Sequence, residues 1–201
     1  MPMLNLITKF SAVYFLTIVL VSCALDVKDD KNTARANNEI KALKFYEEAN
    51  DEAKDGEIDA AIELFKNVIK LKPDFATAYT GLGLQYLHKK ELDKAQKEFK
   101  KAISLDRNEF VAYNHYAVIL RMQGEFLKAK EYYLKAIKIN SKYAQAHLNI
   151  GILYDIYLYD HKQAMHHYKT YQSLTTNEDK LVAKWIVDID RQIAISDGDG
   201  G

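Results

Sequence analysis

Three histidines lie close together late in the chain, in "YDHKQAMHHY": His161, His166 and His167, with Asp160 beside the first. Imidazole and carboxylate groups are metal ligands, so the cluster raises a metal centre. The spacing argues against one. His166 and His167 are adjacent, and adjacent side chains on a helix diverge by about 100°. Zinc-binding helices instead set two histidines four residues apart. His161 falls in a turn, so the three are read as packing or surface residues. Gly81 and Gly83, in "TGLGLQ", suggest a phosphate cradle. They sit inside a helical pattern, follow no strand and lack a following Lys-Ser/Thr pair. Carboxylates are plentiful, but the spacing places most on solvent faces four residues from lysines, as with Glu98 and Lys94. No nucleophile stands with a base and an orienting group. The reactive side chains therefore predict a binding scaffold rather than an enzyme, with no cofactor and no metal.

One further reactive residue is Cys23, the only cysteine, which rules out an intrachain disulfide. Before it, Phe10 to Val21 is almost wholly apolar and Lys9 is basic. About a dozen apolar residues are too few to cross roughly 30 Å of hydrocarbon, but they suit the core of an export signal. Counted from Leu4 the segment is long enough to span, so an uncleaved anchor is the alternative. "LVSC" (Leu20 to Cys23) resembles the bacterial lipobox. That resemblance implies cleavage after residue 22 and acylation of Cys23, which anchors the chain to a membrane. Ala24 stands where an Asp favours inner-membrane retention, so the outer membrane, facing the periplasm, is expected. Residues 23–37 are polar and read as a flexible tether.

These features must be carried by a scaffold. The chain has 201 residues, 48% hydrophobic and 28% charged, an ordinary globular balance. Lys plus Arg and Asp plus Glu number 28 each, and no basic run occurs, so nucleic acid is not an expected partner. The only prolines are Pro2 and Pro73. So few breakers among many Ala, Lys, Glu and Leu predict an all-α protein.

A period of 34 organises the centre. Ala49, Gly83, Ala117 and Gly151 keep it, as do Phe45, Tyr79, Tyr113 and His147. Ala61, Ala95 and Ala129 recur at 34, then Ala164 at 35; Phe65, Phe99, Tyr133 and Tyr168 follow the same course, as do Val68, Ala102, Ala136 and Tyr171. These columns resemble the tetratricopeptide repeat (TPR) family, whose signature alternates small and aromatic residues at such positions. The units are 42–75, 76–109, 110–143 and 144–178, within an array over 38–178. The first helix is expected to begin near Asn38. Departures from the pattern are Glu48, Arg107, Ser141 and Tyr171, with one extra residue in the fourth turn.

The resemblance implies a right-handed α-solenoid of about four helical hairpins. Gly56 and Gly124 fall in hairpin turns, where glycine permits positive φ. The small residue in the Gly83 column lets paired backbones approach, at a loss of roughly 1 kcal/mol in helix propensity. Gly81 has no such column. A stack needs a polar-backed end, and residues 179–195 suit a capping helix. Leu181, Trp185 and Ile189 form its apolar stripe, with Val182, Ile186 and Ile193 beside it and Trp185 buried. A capping box from Thr175 and Glu178, or Thr176 and Asp179, is expected to start it. Residues 196–201 read as a disordered tail.

The family's groove positions fall on Tyr46, Asn50 and Lys54 in the first unit and on Thr80, Leu84 and His88 in the second. They fall on Asn114, Val118, Arg121 and Met122 in the third, and on Gln145, Asn149 and Ile152 in the fourth. Leu84, Val118 and Ile152 form an apolar stripe. Asn114, Gln145 and Asn149 are expected to bond a ligand backbone. A protein or peptide ligand, an amphipathic helix or extended apolar segment, is therefore the expected partner. The alternative is that the stripe packs against the cap or adjacent helices. Some family members clamp a C-terminal carboxylate. Here Tyr46 stands in place of the clamp's first lysine and Gly81 in place of an asparagine, which disfavours that ligand. The combined features resemble small TPR lipoproteins of Gram-negative bacteria, among them pilotins for pilus secretins and adaptors for cell-wall hydrolases. The sequence sets no oligomeric state.

Overall fold

The structure is a computed structural model describing residues 32–198. The expected signal segment 1–22, Cys23, most of the tether and residues 199–201 lie outside the described residues. The described chain is helical, without a strand: α1 (32–55), α2 (Ile58–Leu71), α3 (Ala76–His88), α4 (Leu92–Leu105), α5 (Phe110–Met122), α6 (Phe126–Ile139), α7 (Ala144–Ile152), α8 (His161–Leu174) and α9 (Lys180–Gly198). Hairpins α1/α2, α3/α4, α5/α6 and α7/α8 stack in chain order, and α9 packs on α8.

Composition decides which helices lie inside. In the second helices only a narrow stripe is apolar, and that stripe is what they bury: Ala61, Ile62, Phe65 and Val68 in α2, Ala95, Phe99 and Ala102 in α4, Ala129, Tyr133 and Ala136 in α6. The first helices α3, α5 and α7 are apolar or small around most of their circumference, whereas α1 at the end of the array is largely charged and exposed. α3 buries Ala76, Ala78, Tyr79, Leu82 and Gly83 because α2 flanks it on one side and α4 on the other.

The turns share one closure. The residue after the first helix takes positive φ, at Gly56 (+85°), Lys90 (+60°) and Gly124 (+79°). The next amide then returns to a carbonyl five residues back: Glu57 to Glu52, Glu91 to Tyr86 and Glu125 to Leu120, each at 2.9 Å. This is the Schellman closure that glycine favours. In the fourth hairpin the positive φ falls on Tyr159 (+54°), and the closing bond runs from Asp160 back six residues to Tyr154. The residue that stretches the period to 35 is absorbed as a π-helical turn over Leu153–Tyr157.

Several boundaries differ from expectation. α1 is already helical at residue 32, before Asn38, and Lys72 Nζ holds Glu39 at 2.5 Å. Ala34, Arg35 and Ala36 are good helix formers with no breaker among them, so the end of the supposed tether extends the helix. α9 likewise runs through Gly198, into the supposed tail. Its start is set by Asp179 rather than by a threonine box. Asp179 Oδ1 accepts from the Leu181 and Val182 amides at 3.0 and 3.2 Å. Gln172 fixes Asp179 through two backbone bonds, Nε2 to the carbonyl at 2.7 Å and the amide to Oε1 at 2.9 Å, and Tyr171 Oη donates to Oδ2 at 3.2 Å. Tyr171, which departs from its column's small residues, thus ties the cap to the array. The buried stripe of α9 runs through Val182 and Ile189, with Trp185, Ile186 and Ile193 half-buried. Leu181 is 56% exposed, and Trp185 rests on Tyr168 with centroids 5.4 Å apart rather than being enclosed. Asp179→Ala is expected to destabilise the chain by about 1–2 kcal/mol, with the loss confined to α9 amides in hydrogen exchange.

Candidate partner-binding groove

The stack has unequal faces. α3 touches α5 and α5 touches α7, but consecutive second helices make no comparable contact. The array therefore closes on the side of the first helices and fans open on the other. Beyond the charged α1 the inner wall is nearly uncharged, because α3 and α7 carry no Lys, Arg, Asp or Glu and α5 carries only Arg121.

Along that wall Leu84, Val118 and Ile152 are each half-buried and rest against the main core cluster. They form an apolar strip with one flank in the core and one facing the groove. The cap does not cover the strip, since α9 makes its contacts with α8. Met122, at the end of α5, is 57% exposed, and His88, Lys54 and Gln145 are also exposed. Lys54 pairs with Asp51 at 2.8 Å, which raises its affinity for the proton.

The polar residues behave otherwise than expected. Asn114 is fully buried and Asn149 nearly so. Gln145 Nε2 donates to Asn149 Oδ1 at 3.3 Å, and Asn149 Nδ2 donates to Asn114 Oδ1 at 3.0 Å. The amides are thus joined in a ladder that locks α7 to α5, rather than left free for a ligand backbone. The Asn114 amide also lies beside the Tyr143 hydroxyl, whose pKa burial pushes up. Thr80 is buried, and its hydroxyl turns back toward the Ala76 carbonyl at 3.5 Å. Asn50 donates to the Tyr46 carbonyl at 2.8 Å. Tyr46 itself packs on Phe65 and Phe75, with centroids 6.0 and 4.9 Å away. Pairing inside the fold offsets much of the cost of burying these amides, although the Asn114 Nδ2 group makes no hydrogen bond among the described residues.

Chain symmetry hid two features of this wall. The π-helical turn sets Tyr157 against Phe126 (centroids 4.6 Å) and beneath Arg121 (5.9 Å), and leaves Ile156 exposed at the groove's end. The 35-residue spacing was its sequence signal. Gly81 is the other. A Cβ there would lie 2.4 Å from Cζ of Phe65, so the glycine is the socket for an aromatic of the preceding hairpin. Gly83 and Gly151 do the same for Phe99 and Tyr168 within their own hairpins, at 2.7 and 2.6 Å.

Of the histidines, His167 is buried against His147, and His161 faces Asp155 at 3.6 Å. Among the described residues no group of three or more His, Cys, Asp or Glu converges as a metal site. Nor is any described helix long and apolar enough to cross a membrane.

Tetratricopeptide repeat models match residues 46–110 and 111–143, which together run without a break from within α1 to the end of the third hairpin. The chain belongs to the tetratricopeptide repeat family. No curated protein matches it. Among solved structures, this TPR chain is similar to the Pseudomonas aeruginosa protein pilF, with a TM-score of 0.70 and 18% identity over 79% of this chain and 71% of that one. It is similar to MamA, with a TM-score of 0.56 and 25% identity over 67% and 73%. It is also similar to the first TPR domain of Spaghetti (RPAP3), solved with the HSP90 peptide SRMEEVD, with a TM-score of 0.55 and 20% identity over 58% and 93%.

Proposed function

We propose that this TPR chain is a non-catalytic adaptor whose inner wall captures an apolar segment of another protein while an acylated Cys23 holds it at a bacterial envelope membrane. The observation that carries the reading is the strip of Leu84, Val118 and Ile152, which the cap helix leaves uncovered on the almost uncharged stretch of wall formed by α3, α5 and α7. An amphipathic helix or extended apolar segment buries its side chains there, and the exposed Met122 gives the end of the strip an adaptable surface. The amide ladder holds the wall's curvature instead of reading the ligand, so recognition rests on shape and apolar contact. A charged peptide such as the HSP90 peptide SRMEEVD bound by RPAP3 suits this wall less well. Tyr46 is engaged by Phe65 and Phe75, and Gly81 offers no side chain.

The lipobox at residues 20–23 supports the anchor, and Ala24 supports the outer membrane as its site. Within that setting a pilotin-like role in secretin assembly and an adaptor role for cell-wall hydrolases use the same wall. The experiment is photocrosslinking from position 84 in native membranes, followed by mass spectrometry. A secretin among the products supports the first role and a peptidoglycan hydrolase the second. Leu84→Asp with Val118→Asp is expected to abolish the crosslink while helical circular dichroism persists, and Cys23→Ala to move the chain from membrane to soluble fraction. Loss of helicity in the double variant would assign the strip to the core instead.

A further inference from the structure

The fanned-out face opens a cleft of about 640 Å³ between α2 and α4. Its floor is apolar and aromatic, formed by Ile69, Leu82, Tyr79 and Tyr86. Its rim is basic. Lys97, Lys100 and Lys101 line it from α4, and Lys66 faces them from α2. Lys66 is paired with Glu63 at 2.7 Å, whereas Lys97, Lys100 and Lys101 form no ion pair among the described residues. Lys100 and Lys101 instead stand over the rings of Tyr116 and Tyr79, at 5.4 and 5.9 Å. The lining holds one carboxylate, Glu98, against four lysines, so the site carries a net positive charge; burial raises the proton affinity of Glu98 and the neighbouring Lys97 opposes that shift. The chain's acidic and basic totals are equal, so this local excess comes from placement, not composition.

We infer that this cleft is a second docking site, on the opposite face from the groove, for a partner segment in which an aromatic or aliphatic side chain is flanked by Asp or Glu. The apolar residue enters between the helices and rests on Tyr79 and Ile69, while the flanking carboxylates meet the lysine rim. Charge complementarity selects the acidic flank. The recessed floor selects a peptide over a bilayer, because a flat anionic headgroup layer reaches the lysines but not the tyrosines.

Fluorescence anisotropy on the full-length protein in mild detergent tests this, with a fluorescein-labelled dodecapeptide carrying Phe at its centre and Asp or Glu around it. The expected result is saturable binding that weakens about tenfold or more in the Lys97→Glu/Lys101→Glu variant, and similarly when Ala replaces the central Phe. Both lysines are exposed, so the variant keeps its fold. The Leu84→Asp/Val118→Asp variant is expected to bind the peptide normally, which separates this site from the inner wall. Three results would each overturn the inference: no binding, equal binding of the Phe and Ala peptides, or lysine-dependent binding of phosphatidylglycerol vesicles without binding of the peptide.

Discussion

Phe65→Ala is expected to destabilise the chain by about 3–5 kcal/mol, and to reverse the sign of a second substitution at Gly81. Phe65 is 1% exposed, and it reaches across the junction between the first and second hairpins. In the unaltered chain, Gly81→Ala gains about 1 kcal/mol of helix propensity. It also drives a methyl group to within 2.4 Å of the Phe65 ring, which has no free side to retreat to because Tyr46 packs on it. Overpacking of that kind costs about 1–3 kcal/mol and outweighs the propensity gain. With Phe65 truncated the obstacle is gone, and Gly81→Ala is expected to stabilise by roughly the propensity difference. Urea unfolding of the four members of this cycle, followed by far-ultraviolet circular dichroism, gives the coupling directly. The same sign for Gly81→Ala in both backgrounds would refute the interlock.

Acid is expected to loosen the last hairpin first. His147 and His167 face each other inside it, Nδ1 to Nδ1 at 3.0 Å, and His147 Nε2 lies 3.2 Å from the Ser141 carbonyl. The Ser141 carbonyl accepts a hydrogen bond from His147 Nε2–H, so His147 Nδ1 accepts in turn from His167 Nδ1–H. That bond needs His147 neutral, and burial keeps His167 neutral beside it. Burial above all, then the neighbouring His147 and His166, lowers His167 to about 4, and burial lowers His147 too. In the unfolded chain an imidazole takes up its proton near 6.5. Between those values the unfolded state binds more protons, so stability is complete above pH ~6.5 and falls as the pH approaches ~4. For His167 the full loss is on the order of 3 kcal/mol. His115 in α5, also lowered to about 4 by burial and then by His88, adds a loss of the same sign. Urea midpoints at pH ~7.5 and ~4.5 check the trend. His167→Gln, which keeps a donor toward His147, is expected to flatten it. An unchanged acid slope in that variant would place the sensitivity elsewhere.

The hairpins and their order were legible because a repeated contact leaves a repeated residue. The columns through Ala49, Ala61 and Phe65 each mark a contact made afresh in every unit, and periodicity reports such contacts well. It reports poorly what happens once. Gly81 meets a ring in the preceding unit, and its partners in the same column, His115 and Asn149, share neither its size nor its chemistry. Asn114 and Asn149 occupy groove positions of the family, yet they bond to each other, which no single column reveals. Asp179 starts α9 because Gln172 and Tyr171 on the preceding helix hold it there, a tertiary bond set invisible to a local threonine pattern. Leu181 belongs by spacing to a stripe with Trp185 and Ile189, but α8 receives the adjacent face through Val182.

The aromatic that leaves each hairpin meets a different receiver in the next: Phe65 lodges over Gly81, whereas Phe99 lies flat against His115 with centroids 5.9 Å apart. Modules keyed this way cannot be shuffled. Exchanging the second and third cassettes would set an imidazole where the first hairpin has room only for a hydrogen atom. Such a permuted chain would keep every helix yet lose its joints, so the running order of the modules is itself inherited information.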